Sequence, residues 1–396
     1  MEKTSKGMRL HIGIFGRRNV GKSSILNALV GQEAAIVSDI AGTTTDPVEK
    51  PMELLPLGPV LFVDTAGVDD IGALGEKRIS KTRKVFERTD LAMVVTEAGA
   101  WGTFEDEILK ALEELKVPAI IVINKNDIRA ADDIKTKYAT ISVSAKTGAG
   151  IDLLRELLIK QAPEEFMANP AILGDLVGPG KIAVLVVPID KEAPKGRLIL
   201  PQVQAIRDLL DSDAIAVVCK ERELQATLEK LTEKPALVVT DSQAFLKVAA
   251  DTPDDIPMTS FSILFARFKA DLAEMAAGAR AIDTLKDGDC VLIAESCTHH
   301  PITDDIGTVK IPRWLGQYVG GQLKFEWTRG HDLPEDLSKY KMIVHCGACM
   351  WNRREMLSRI MLAKKAGVPI SNYGLVIAYS LGIFERALKP FGLIID

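Results

Sequence analysis

Long apolar runs are missing from this chain of 396 residues. No segment reaches the roughly 18 consecutive apolar residues that a membrane-spanning helix needs. The opening stretch, Met1 to Arg9, also lacks the apolar core of a secretory signal, so a cytoplasmic protein without a membrane partner is expected. Cysteine is scarce too. Five cysteines without a secretory signal do not make a disulfide framework, because the cytosol keeps thiols reduced; metal binding or burial must account for them. There is no Lys/Arg run, and the net charge of −5 argues against a nucleic-acid surface. Low-complexity segments and sequence repeats are absent as well, which excludes a disordered chain or a solenoid. What is present, 47% apolar and 26% charged residues, is the balance of a globular protein, and the length exceeds one ordinary core.

Along the chain, short β-branched runs alternate with amphipathic stretches, the signature of an α/β fold with parallel sheets. His11 to Phe15, Val60 to Val63, Leu91 to Val95, Ala119 to Ile123 and Thr140 to Val143 read as strands of a first domain, 1–168. After a linker rich in Pro and Gly, the rhythm restarts with Lys181 to Pro188, Ala214 to Cys219 and Pro235 to Thr240, spaced by helices at Gln202 to Leu210 and Arg222 to Leu231. These define a smaller domain, 169–264. A single helix from Ile263 to Thr284 is expected to lead into the third, 265–396, with strands at Cys290 to Ala294, Gln322 to Glu326, Met342 to Val344 and near Pro369.

Four motifs at predicted strand ends carry the chemistry of the first domain. Gly16 to Ser23 reads GRRNVGKS, a GxxxxGKS loop between an apolar strand and a helix expected to start at Ser23. Backbone N–H groups and the helix N-terminus there cradle phosphate, Lys22 neutralises its oxygens, and the Ser23 hydroxyl ligates magnesium. Gly16, Asn19, Val20, Gly21, Lys22, Ser23 and Ser24 are assigned to the phosphates. Asp64 of Asp64-Thr65-Ala66-Gly67 reaches the magnesium through water, and the Gly67 N–H is placed for the γ-phosphate. Asp127 of Asn124-Lys125-Asn126-Asp127 accepts two hydrogen bonds from guanine N1–H and the N2 amine, a pair that adenine does not offer. Ser144-Ala145-Lys146 completes the base site through the Ala145 N–H. GTP and magnesium are the expected ligands.

Gly42-Thr43-Thr44-Thr45-Asp46 resembles the GTTRD switch motif of the TrmE, Era and EngA GTPases, with Thr45 in place of arginine. The resemblance implies that Thr44 binds magnesium. It also implies that Asn19 holds a potassium ion, because Val68 stands where Ras-like enzymes place a water-orienting glutamine. Lys22, Thr44, Asp64 and Gly67 are then the catalytic set of a slow GTPase.

Most of the remaining chemistry lies in the last third, which holds four of the five histidines. Cys297-Thr298-His299 follows one predicted strand and His345-Cys346-Gly347-Ala348-Cys349 another, so distant loops meet where parallel sheets collect ligands. Three thiolates suit an iron–sulfur cluster. The same residues supply Cys3His for structural zinc, and buried cysteine is the bland alternative. Cys219 and Cys290 lie within apolar strands and read as core.

CxH, a long gap and HCxxC, downstream of a TrmE-like domain and extending to Asn352-Arg353-Arg354-Glu355-Met356, resemble the HydF family of FeFe-hydrogenase maturation GTPases. That resemblance implies a homodimeric scaffold with a 4Fe-4S cluster on Cys297, Cys346 and Cys349. His299 or His345 is then a candidate fourth ligand. The scaffold's role would be to deliver a diiron precursor, made with two radical-SAM maturases, to apo FeFe-hydrogenase. Arg353 and Arg354 would contact the anionic precursor or line a solvated helix face. The contrasting expectation is an Era- or TrmE-like RNA or ribosome assembly GTPase with a zinc-binding tail.

Overall fold

The computed structural model describes residues 5–31, 48–65, 84–130, 134, 136–167, 170–188, 198–296 and 305–393. These fall into two compact units, 1–169 and 170–396.

In the first unit, six strands form one sheet: β1 (Leu10–Phe15), β2 (Val48–Leu54), β3 (Gly58–Asp64), β4 (Leu91–Glu97), β5 (Ala119–Asn124) and β6 (Ala139–Ser142). Their order is β2-β3-β1-β4-β5-β6, antiparallel between β2 and β3 and parallel elsewhere. β1 and β5 are buried along their whole length, as strands covered on both faces must be. β2 was not expected. Its sequence, VEKPMEL, carries a proline and three charges, and an edge strand is where a sheet tolerates both.

The second unit holds two four-stranded, fully parallel sheets. The first contains β7 (Ile182–Val186), β8 (Ile215–Cys219), β9 (Leu237–Thr240) and β10 (Met258–Ser260) in the order β10-β9-β7-β8. The second contains β11 (Cys290–Glu295), β12 (Lys324–Arg329), β13 (Met342–His345) and β14 (Ile370–Asn372) in the order β12-β11-β13-β14. Counted within each sheet, both orders are 2-1-3-4. The two sheets thus share one strand order, although their sequences show no repeat. In each, the strand order reverses beside the first strand, so the crevice at the strand C-termini lies between β7 and β9 and between β11 and β13.

The helix expected over Ile263 to Thr284 is two helices, Phe261–Lys269 and Leu272–Arg280. Ala270 between them is extended, and Asp271 caps the second by accepting the Glu274 N–H at 3.1 Å. The D-x-x-E spacing is the sequence signal for that break. Phe261–Lys269 packs Phe261, Leu264 and Phe265 with the core of the first sheet, while Ile263 and Ala266 join a cluster shared by both sheets. Position 264/265, taken as a boundary from the sequence, falls within this helix. Gly278 seats the next helix directly on β14, since a Cβ there would lie 1.9 Å from the Ile370 carbonyl oxygen.

Candidate functional site

The phosphate loop of the first unit follows β1 and leads into the helix Lys22–Gly31, which starts one residue before the expected Ser23. Its shape depends on left-handed backbone at Gly16 (φ 142°), Asn19 (φ 65°) and Gly21 (φ 93°). Only glycine fits at the first: a Cβ on Gly16 would sit 2.1 Å from the Val95 carbonyl oxygen of β4. Asn19 is a residue type that tolerates this conformation, so it shapes the loop as well as lining it. The Lys22 ammonium folds onto the Gly16 and Arg17 carbonyl oxygens at 2.5 and 2.9 Å, and the Ser23 hydroxyl donates to Asp64 Oδ2 at 2.6 Å. The two proposed magnesium-site groups therefore converge on one point. Thr65 fixes the end of β3 by donating its hydroxyl to the Ile14 carbonyl oxygen at 2.7 Å.

The base-recognition motifs are tied to that loop by one side chain. Asn124, buried at the end of β5, donates from Nδ2 to the Val20 carbonyl oxygen at 2.8 Å and accepts the Ala145 N–H on Oδ1 at 3.1 Å. Lys125 reaches the Asn19 carbonyl oxygen at 2.8 Å and pairs with Glu97. The Ser144 hydroxyl donates to Asp127 Oδ1 at 2.7 Å, which fixes the carboxylate orientation for a base. Ser24 and Lys146 are exposed on the first helical turn and the last loop. Thr44, Gly67 and Val68 lie outside the described residues.

In the second unit, Cys346 and Cys349 follow β13 at the crevice between β11 and β13. The Cys346 N–H donates to the Ala294 carbonyl oxygen at 2.9 Å, holding the loop against β11. Its sulfur contacts the Ser296 N–H at 3.1 Å and the Ser296 hydroxyl at 2.8 Å. Ala348 takes a left-handed conformation, φ 50°, which bends the backbone between the two thiols. Burial and the neighbouring Cys346 push the Cys349 thiol up, while Lys269 pulls it back. Two thiols on a tight loop, one of them accepting from the Ser296 N–H and in contact with its hydroxyl, form a ligand set that suits a soft, thiolate-bound metal centre. Among the described residues, no group of three or more His, Cys, Asp or Glu side chains gathers as a metal site. Cys297 and His299, which the sequence adds to the set, lie outside those residues.

His345 is fully buried at the end of β13. Its Nδ1 bonds the Cys346 carbonyl oxygen at 2.8 Å, and Nε2 faces Arg359 at 3.4 Å. Burial, then Arg359, push its pKa down to about 3, so the ring is neutral with both nitrogens turned to protein groups. Trp351 packs between the His331 ring, stacked at 5.5 Å, and the Arg359 guanidinium at 4.2 Å. Arg353 does not extend along a solvated face: its guanidinium donates to the Phe268 and Ala270 carbonyl oxygens at 3.0 and 2.9 Å, capping a helix end. Glu295 is held by Arg329 at 3.0 Å and by the Tyr373 hydroxyl at 3.2 Å. Cys290 opens β11, the end opposite Cys346, and Cys219 ends β8 in the other sheet. Burial pushes both thiols up. Sequence reasoning missed Lys269, Ser296, Trp351, Arg359 and Tyr373, none of which belongs to a recognisable motif.

A mostly parallel sheet with a GKS loop after its first strand, an Asp at the end of β3 and an NKxD run at the end of β5 is the fold and site of a P-loop GTPase, which binds GTP with magnesium. The family model described as 50S ribosome-binding GTPase matches residues 11–125. Over 167 aligned residues the chain is 35% identical to GTPase Der of Wolinella succinogenes, covering 38% of this chain and 35% of that protein. It is 39% identical to the tRNA modification GTPase MnmE of Heliobacterium modesticaldum, covering 40% and 36%. The chain thus spans about a third of the length of these curated relatives. Among solved structures, Era from Aquifex aeolicus bound to GDP and tetrafluoroaluminate matches at a TM-score of 0.33 and 20% identity, over 61% of this chain and 99% of that one.

The second unit narrows the class to a family. The hydrogen maturase F dimerization domain matches residues 172–270 and the hydrogen maturase F tetramerization domain residues 273–390. The chain belongs to the hydrogen maturase F family, HydF, and its domains are those of an oligomeric GTPase.

Proposed function

We propose that this protein is a GTP-hydrolysing scaffold that holds a 4Fe-4S cluster and carries the diiron subcluster precursor to apo FeFe-hydrogenase in the cytoplasm. The precursor would be made with two radical-SAM maturases. The observation that carries the reading is the placement of Cys346 and Cys349 at the switch-point crevice of a sheet matched by a hydrogen maturase F domain. Cys297, two residues beyond β11, is the third thiolate of the proposal. When bound, a cluster with three thiolate ligands supplies a one-electron couple and one iron with an exchangeable position. The protein's part is to hold Cys346 under Ser296, to bend the loop at Ala348 and to surround the thiols with buried groups. Because both His345 nitrogens already have protein partners, His299 or an open position is the better proposal for the fourth site. The ribosome-factor alternative is not favoured, since the ribosome-binding GTPase match ends at 125 and hydrogen maturase F domains cover 172–270 and 273–390.

In the first unit we assign magnesium to Ser23 and Thr44, with Asp64 acting through water, and potassium to Asn19. Lys22 and the Gly67 N–H would stabilise the transferring phosphate. Hydrolysis is expected to run several-fold faster in potassium chloride than in sodium chloride at equal ionic strength. Equal rates in the two salts would exclude a role for potassium.

Self-association is proposed to use β8. It is the outer strand of its sheet, and Ile215 and Val218 are 49% and 46% exposed. The helix beside it, Leu200–Asp211, also exposes Val203 and Leu210. An unpaired apolar edge invites the same edge of a second copy across a two-fold axis. Val218→Asp should roughly halve the mass measured by light scattering, because a carboxylate cannot be buried unpaired at such a contact. An unchanged mass places the interface elsewhere.

A further inference from the structure

Lys269 ends the helix Phe261–Lys269 and is 1% exposed, an unusual place for an ammonium group. Its three N–H donors are all used. They reach the carbonyl oxygens of Ala348 at 3.3 Å, Cys349 at 2.9 Å and Trp351 at 2.7 Å, all on the loop that carries the two thiols. The clasp is reciprocal: Arg353, just past that loop, donates to the carbonyls of Phe268 and Ala270 on either side of Lys269. Carbonyl oxygens satisfy the donors, and among the described residues no carboxylate pairs with the charge. The bond to the Cys349 carbonyl oxygen puts the charge on the backbone of a residue whose thiol is a proposed ligand. Burying an ammonium is unfavourable unless an opposite charge lies near. An apolar side chain would fill the same space without that cost. What lysine adds is a rigid hold on three carbonyls and a positive charge beside the loop that carries the thiols.

We propose that Lys269 is a positioning residue of the metal centre: it sets the path of the Cys346–Cys349 loop and is the buried counter-charge for the thiolates and the group they hold. This rests on the reading of Cys346 and Cys349 as cluster ligands. A positive charge next to a reducible anionic centre stabilises the more negative, reduced state and so raises the reduction potential. Hydrogen bonds that fix the loop act instead on how firmly the centre is held. Two variants separate these effects, because Lys269→Gln keeps two N–H donors without the charge and Lys269→Met keeps neither.

The experiment is anaerobic reconstitution with iron and sulfide, followed by iron retained under a chelator and by redox titration of the electron paramagnetic resonance signal. Wild-type protein that builds no cluster refutes the cluster reading itself, before any variant is compared. Given a wild-type cluster, Lys269→Met should retain about tenfold less iron, the scale of one charge-assisted hydrogen bond lost. Lys269→Gln should retain an intermediate amount. The cluster in both variants should have a more negative potential than wild type. Where Lys269→Met does not melt cooperatively, Lys269→Gln decides alone; where neither folds, the residue is only structural and the proposal fails. An unchanged potential in folded Lys269→Gln, whatever its iron content, overturns the counter-charge role.

Discussion

Asp127→Asn is expected to lower GTP affinity by at least two orders of magnitude while raising affinity for xanthosine triphosphate. In the proposed base contact the carboxylate would accept from guanine N1–H and from the N2 amine, whereas an amide can accept on one oxygen only. Two charge-assisted hydrogen bonds at about 1.5 kcal/mol or more each set the size of the loss. Xanthine carries an oxygen in place of the N2 amine, which suits the new N–H donor. Asp127 is already oriented by the Ser144 hydroxyl at 2.7 Å, so little rearrangement is needed for either base. Competition against a fluorescent guanine nucleotide measures both arms. Undiminished GTP affinity would mean that another group reads the base.

Cys346→Ala carries the second large effect. This thiol contacts the Ser296 N–H and hydroxyl and begins the loop that Lys269 holds, so its loss removes a proposed ligand from a fixed position. Iron bound after reconstitution should fall below about a tenth of the wild-type content, and activation of apo-hydrogenase should be lost with it. GTP hydrolysis should persist, because its residues belong to the other compact unit. Cys290→Ala and Cys219→Ala are the controls. Both residues pack in strands away from the crevice, so each should keep its iron and lose only about 1 to 2 kcal/mol of stability from the vacated space. Equal iron loss in a control and in Cys346→Ala would show that the ligand set has been misassigned.

The nucleotide site was legible because each of its motifs is contiguous and sits at the end of a strand whose apolar run announces it. Lys22, Ser23, Asp64, Asn124 and Asp127 could be placed from local pattern alone. The cross-link between motifs was not legible, since nothing in the sequence says that Asn124 reaches back to Val20. In the second unit, HCxxC marked the thiols, but the buried cation beneath them comes from a helix about 80 residues earlier in the chain. A solitary lysine in an amphipathic run looks like any surface lysine until tertiary contacts bury it. Edge strand β2 was hidden by Pro51 and by charges that an inner strand would exclude. The helix break at Ala270 left only the Asp271/Glu274 spacing as a trace. The matching strand order of the two small sheets is invisible in sequence because topology constrains where apolar residues recur, not which ones they are.

The thiols at the β11/β13 crevice are proposed to hold an iron–sulfur cluster rather than zinc. Metal analysis of anaerobically purified protein, paired with electron paramagnetic resonance after reduction, addresses it directly. The expected result is a brown protein with iron and sulfide in near-equal amounts and a paramagnetic signal that shifts when imidazole or cyanide takes the exchangeable position. Stoichiometric zinc, no signal on reduction and no cluster after iron and sulfide reconstitution would contradict it.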